Sequence, residues 1–251
     1  MNPYIKRKII KKQGTSSEEL EDYVAIEKKL RVSVNGKKVI TLYCTPLMIK
    51  ELIIGLFLTE GILINKISPD KINIICGEDI SVDISAGQDV LKKGMVTSRC
   101  LGGVTFNKKI KFEKVKDNFS ITVEALKNIF KEFHQKSEFF RLTGCFHSAA
   151  LSDGKRILAF AEDIGRHNTV DKIIGYSILE DIPFTGKLML VSCRISSEII
   201  SKCSRWGIPI IASRAAPTHL AIEIAEKSGI TLAGFVRGDS LNVYNNPQRI
   251  I

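Results

Sequence analysis

The sequence predicts an α/β fold, with a sheet covered by helices in its second half. Three observations lead there. From Ile157 onward, apolar runs of strand length alternate with helical periodicities. Gly207 and Gly229 stand where two of those helical patterns stop. A lysine-rich interval over 107–121 separates this half from an upstream region with its own hairpin and helix signals.

In order, residues 1–22 are polar and charged and are expected to be loose. Leu30, Val32 and Val34 alternate, Asn35-Gly36 follows, and Val39 to Leu42 completes a hairpin signal. Thr45-Pro46 reads as a helix N-cap with proline in the first turn. Leu52, Ile53, Leu56 and Phe57 form one apolar helical face, ended by Gly61, and strands are expected at 72–76 and 80–84. Leu126, Ile129, Phe130 and Phe133 mark an amphipathic helix. Thr143 to Leu151 enters a strand, and Ser152-Asp153-Gly154 turns the chain. Cys145 and His147, two apart, are open to packing and to catalysis alike.

Strands then fall at 157–161, 188–191, 208–212, 232–235 and 241–244, with one helix at about 168–180, one opened by Ser196-Ser197-Glu198 and closed by Gly207, and one opened by Pro217 and closed by Gly229. Trp206 lies on a core-like face of the second of these helices. The turn Arg237-Gly238-Asp239-Ser240 reads equally as a plain hairpin turn or as a close backbone approach to a ligand.

The densest polar cluster is EDIGRHNTVDKIIG, Glu162 to Gly175, where a strand gives way to a helix. That crevice is a usual ligand position in α/β sheets, and a helix N-terminus favours anions. The plainer alternative makes Asn168 a cap and pairs Glu162 with Arg166 at the surface. It leaves Asp163 and His167 without a purpose, so Arg166 and His167 are expected to face a ligand.

The chain has 251 residues, ordinary globular composition and a formal charge of +10, which favours an anionic partner. Part of the excess is local, in Lys6, Arg7, Lys8, Lys11 and Lys12 and again over 108–116. No apolar run has the length of a membrane span, and no apolar segment follows the basic start as in a signal peptide. Six cysteines without framework spacing fit a reducing, cytoplasmic setting. There is no phosphate loop and no GxGxxG. Neither HxE nor PCxxC occurs, which removes the ligands of a zinc deaminase; no metal is expected. No basic–aromatic interleaving points to nucleic acid.

Cys100 sits between Arg99 and Gly102-Gly103 in the segment 94–106. The glycines suit a mobile loop, and a neighbouring guanidinium favours the nucleophilic thiolate. Such a cysteine is suited to carrying a sulfane sulfur, although most free cysteines are small buried hydrophobes.

Together these pieces resemble the FdhD family of formate dehydrogenase accessory sulfurtransferases, from about Val24 to the end. The resemblance rests on VNGKKV at 34–39, TP..IKELIIGLFLTEGIL at 45–63 and EDIGRHNTVDKIIG at 162–175. SCRISSEIISKCSRWGIPII and APTHLAIEIAEKSGITLAGFVRGDSLNVY extend it to Tyr244. It implies a cytidine-deaminase-like sheet with helices on both faces over 118–251, without zinc, and a smaller N-terminal α/β domain over 23–117. It implies a sulfur carrier that takes sulfur from a cysteine desulfurase as a persulfide on Cys100. The sulfur passes to the bis-molybdopterin guanine dinucleotide molybdenum cofactor for formate dehydrogenase. The resemblance places cofactor binding on Phe235, Val236, Arg237, Gly238, Asp239 and Ser240, and suggests a homodimer. Many members of the family carry CxxC in the loop; here Gly103 replaces the second cysteine, which leaves a non-catalytic cofactor chaperone as the alternative. Cys145 stands where a small residue is expected.

Overall fold

The structure, a computed structural model, describes residues 1–62, 68–87 and 114–251. Among them the strands form three sheets. The first is a ribbon of β1 (Tyr4–Gln13) and β2 (Ser16–Ala25). The stretch 1–22, expected to be loose, is therefore ordered, because its basic and acidic halves are complementary. Arg7 faces Asp22, Lys8 faces Glu21 and Lys11 faces Glu18 across the ribbon, and Gly14 turns the chain at φ 61°. Exposed ion pairs such as Lys8–Glu19 at 3.3 Å stabilise little by themselves. The ribbon is also held by Tyr4, whose ring lies edge-on to Tyr23 at 5.3 Å and 6.1 Å from Phe139. The basic run at residues 6–12 is thus matched by acids within the ribbon.

The second sheet has the order β4-β3-β6-β5, from β3 (Lys28–Val34), β4 (Lys37–Cys44), β5 (Ile72–Cys76) and β6 (Ile80–Ile84). Its hairpin turns on Asn35 and Gly36, both at positive φ, as the Asn-Gly signal predicts. The helix α1 (Ile49–Thr59) covers it with Leu52, Ile53, Leu56 and Phe57, all buried. Thr45 does not cap α1, which begins after Met48 in a left-handed conformation. Thr45 is drawn away by a stronger partner: its N–H donates to Asp163 Oδ2 at 3.1 Å, and its Oγ1 accepts from the N–H of Ile164.

The third sheet is built from β7 (His147–Ser152), β8 (Ile157–Asp163), β9 (Leu188–Val191), β10 (Ile210–Ser213), β11 (Thr231–Arg237) and β12 (Ser240–Val243). Its order is β12-β11-β10-β9-β7-β8, and β9, β10 and β11 run parallel. Alternate side chains face opposite ways. Leu188, Leu190, Ile210 and Ala212 pack under α2 (Val123–Lys136) through Leu126, Ile129, Phe130 and Phe133. Met189, Val191 and Ile211 pack under α4 (Arg166–Leu179), α5 (Ser197–Ser204) and α6 (His219–Ser228). The short α3 (Glu138–Thr143) precedes β7. Trp206 lies just beyond α5, in the turn to Gly207, and packs on Phe184. Pro217 precedes the N-cap Thr218 of α6.

The small sheet and the large one are joined where α1 crosses α4 at backbone contact. A Cβ on Gly55 would lie 1.8 Å from the carbonyl oxygen of Asp171, and one on Gly175 would lie 1.9 Å from that of Glu51. Beside this crossing Lys202 is buried. Its Nζ donates to both carboxylate oxygens of Asp171 at 2.8 and 2.9 Å, to Glu60 Oε1 at 2.7 Å and to Thr59 Oγ1 at 3.0 Å. Burial opposes the charge, but Asp171 and Glu60 outweigh it and hold the Lys202 pKa raised. Three helices, α1, α4 and α5, are pinned by this one ammonium.

Candidate functional site: a cationic cavity at the sheet edge

Because β8 runs parallel to β9, the ends of β8, β9, β10 and β11 all reach the same edge of the large sheet. The cluster at 162–168 stands at one end of that edge. Here β8 runs two residues past its apolar run, through Glu162 and Asp163, and α4 starts at Arg166. Asn168 is therefore inside the helix rather than its cap; its Nδ2 donates to Asp163 Oδ1 at 2.8 Å and to the Tyr43 carbonyl at 2.9 Å. Glu162 does not pair with Arg166 at the surface. It is buried and accepts from the N–H groups of Phe139 and Phe140, closing the start of α3. Burial raises its pKa and the two N–H bonds lower it, with a net rise. Asp163 binds the buried Lys172.

His167 Nε2 lies 2.7 Å from Glu198 Oε2. Burial pulls the His167 pKa down and outweighs the upward pull of Glu198. Arg166 Nε is buried without a hydrogen-bond partner among the described residues. His147 pairs in register with Asp163, and burial followed by Arg166 lowers its pKa. Among the described residues no three His, Cys, Asp or Glu side chains gather as a metal site.

A cavity of about 510 Å³ opens near the other end of the edge. One wall is Val236, Arg237, Gly238 and Asp239, where β11 turns into β12. The turn depends on Gly238, at φ 51°, and on a bulge between Gly234 and Arg237 in which Phe235 takes φ 52°. Arg237 lies over the Phe235 ring at 5.5 Å, and its Nε donates to the Arg214 carbonyl at 3.0 Å. Phe235 and Ser240 themselves do not line the cavity. Of the segment expected from the resemblance, the four central residues face it.

The opposite wall is α2, with Arg214 at the end of β10. Glu124, Lys127, Asn128, Lys131 and His134 recur at helical spacing on one stripe beside the buried face. Lys127 reaches across to Asp239 at 2.6 Å, and that bond lowers the Asp239 pKa. His134 Nε2 is buried and has no hydrogen-bond partner among the described residues; burial, then Arg214, lowers the His134 pKa. Sequence motifs did not reveal this wall. The only signal was that Lys127, Lys131 and His134 follow the helical period of the core residues.

Arg166 and His167, expected to face a ligand, do not line this cavity. Four strand spacings, about 19 Å, separate β8 from β11. Furthermore, α4 lies on the face of the sheet opposite α2. Cys100 and its loop at 94–106, and most of the lysine run at 108–116, fall outside the described residues. Of the other cysteines, Cys44, Cys193 and Cys203 are buried, whereas Cys145 and Cys76 are exposed. Cys76 reaches the surface at the end of the edge strand β5. Burial pushes the Cys44 thiol to about 12 and Cys193 to about 11.

The model of the FdhD/NarQ family matches residues 25–251. The chain is 35% identical to the sulfur carrier protein FdhD of Bacillus pumilus (strain SAFR-032), covering 100% of this chain and 99% of the relative. It is 38% identical to that of Sulfolobus acidocaldarius over 92% of each. A solved chain from Desulfotalea psychrophila, assigned as a formate dehydrogenase accessory protein, superposes with a TM-score of 0.81 at 27% identity over the whole of both chains. No helix among the described residues is long and apolar enough to cross a membrane.

Proposed function

Since this chain belongs to the FdhD/NarQ family, we propose that it is a sulfur carrier serving formate dehydrogenase, with the molybdenum cofactor as its cargo. The observation that carries the cargo half of this reading is the cationic cavity beside Val236–Asp239. Bis-molybdopterin guanine dinucleotide is polyanionic and ends in guanine nucleotides. A cavity of about 510 Å³ with Lys127, Lys131, Arg214 and Arg237 on its walls fits such an end in size and charge. The orphaned Nε2 of His134 supplies a further polar group for it.

In the sulfur half, the Cys100 thiolate attacks the terminal sulfur of a persulfide on a cysteine desulfurase. A new S–S bond forms at Cys100, the donor's S–S bond breaks, and the donor cysteine leaves as thiolate. Arg99 favours the ionised nucleophile. We place the chain in the cytoplasm as a homodimer, and read the large sheet as a cytidine-deaminase-like domain whose ligand edge has been given over to carrying cargo. A second reading, a chaperone that binds the cofactor without moving sulfur, is favoured by Gly103 in place of a second loop cysteine.

Intact mass after incubation with a desulfurase and cysteine separates the two. We expect a sulfur-sized increment that reductant removes and that Cys100→Ala abolishes, together with activation of formate dehydrogenase. Full activation of the enzyme by Cys100→Ala would leave the chaperone reading, unless Cys145 carries the increment; Cys145→Ala and the double variant decide that.

A further inference from the structure

We propose that the α2 wall of the cavity, Lys131 and His134 together with Arg214, is the phosphate-binding half of the cargo site, facing the β11–β12 turn across the bound nucleotide. This rests on the reading that the cavity takes a guanine nucleotide end, and names residues for it that the C-terminal motif does not contain.

The cationic groups of the cavity differ in how they are engaged. Lys127 is held by Asp239, and Arg237 is tethered through its Nε to the Arg214 carbonyl and stacked on Phe235. Lys131 and the Arg214 side chain make no hydrogen bond or ion pair among the described residues. His134 Nε2 is enclosed with no hydrogen-bond partner among the described residues. A ring nitrogen withdrawn from water without a hydrogen bond is destabilising unless a ligand completes it. Two unpaired cations flanking it make that ligand an anion. The spacing of 131 and 134 on α2 puts both groups on one turn, and the packing of Phe130 and Phe133 under the sheet fixes that turn against the core. The wall is therefore rigid, which suits the recognition of a diphosphate by charge and position. On the other side, Asp239 presents a carboxylate. The other lining carboxylate, Glu124, stands in the first turn of α2, away from the turn of Lys131 and His134, so an anion is repelled least beside those two residues and Arg214, and the uncharged end of the nucleotide belongs to the β11–β12 turn.

Calorimetry on the full chain tests this with GDP, ADP, GMP, guanosine and pyrophosphate. Affinity is expected to fall from GDP to GMP to guanosine. Lys131→Gln and Arg214→Gln should each weaken GDP and pyrophosphate by about tenfold or more and leave guanosine unchanged. Both side chains are exposed, so the variants are expected to fold, and circular dichroism checks that they do. If both variants bind GDP like the parent while Arg237→Ala does not, the phosphate placement is overturned and the cargo cavity stands. If the parent binds pyrophosphate through Lys131 and Arg214 but prefers GDP neither to ADP nor to pyrophosphate, the phosphate wall stands and the guanine reading falls. Failure of the parent to bind either GDP or pyrophosphate overturns both.

Discussion

The Nζ of Lys172 lies 2.5 Å from Oδ2 of Asp163, and neither side chain reaches solvent. The pair ties α4 to the end of β8, and Asp163 also holds the N–H of Thr45 from the small sheet. Removing one member leaves the other charge buried and alone. Lys172→Met is expected to cost about 3–5 kcal/mol in urea denaturation, and Asp163→Asn with Lys172→Met should recover part of that loss. A loss below about 1 kcal/mol for Lys172→Met would show that the site rehydrates.

The crossing of α1 and α4 should not tolerate a methyl group. Gly55→Ala and Gly175→Ala place a Cβ within 2 Å of a backbone oxygen that cannot rotate away. Each is expected to destabilise by at least the ~1–3 kcal/mol of ordinary overpacking. Gly77→Ala is the control, because its Cβ would meet nothing closer than 3.6 Å. Equal melting temperatures for all three variants would contradict the close crossing.

Stability should fall as pH drops from about 7 toward 5.5. Burial lowers the pKa values of His134, His147 and His167, so in this window the unfolded chain binds more protons than the folded one. The slope of unfolding free energy against pH is then positive. Glu60 and Glu162 act in the opposite sense: their raised values add stability only as pH falls through them toward 4.5. Thermal melts across pH 5.5–7.5 check this, and His147→Gln should flatten the dependence.

Alkylation should sort the cysteines by burial. Iodoacetamide on the folded protein is expected to label Cys76 and Cys145 and to spare Cys44, Cys193 and Cys203. At pH 8 a thiol of pKa about 12 is ionised in only about one molecule in ten thousand, and it is also shielded. Peptide mapping reads the pattern, and labelling of Cys44 at the rate of Cys145 would contradict the packing of β4.

Local pattern carried the strands and helices of the large sheet, the Asn35-Gly36 hairpin and the apolar faces of α1 and α2, because each depends on periodicity and turn residues within a few positions. It missed the hairpin at the start of the chain, read as loose, since what orders Lys8 and Lys11 is an acidic strand about ten residues later in sequence. It also missed Lys172 and Lys202. Each is flanked by an apolar residue of its helix, Ile173 or Cys203, and the partners Asp163, Glu60 and Asp171 come close only when strand end and helices pack together.

The sequence by itself determined the α/β class, the family and the turn at 237–240, because motif and period are local properties. Only the tertiary structure decided what faces that turn. Strand order set Arg166 four strands away and on the other face. The packing of Phe130 and Phe133 rotated α2 so that Lys131 and His134 look onto Arg237 and Arg214. Which charged groups share a cavity is fixed by the order of strands and the roll of helices, and neither is written in the spacing of the residues concerned.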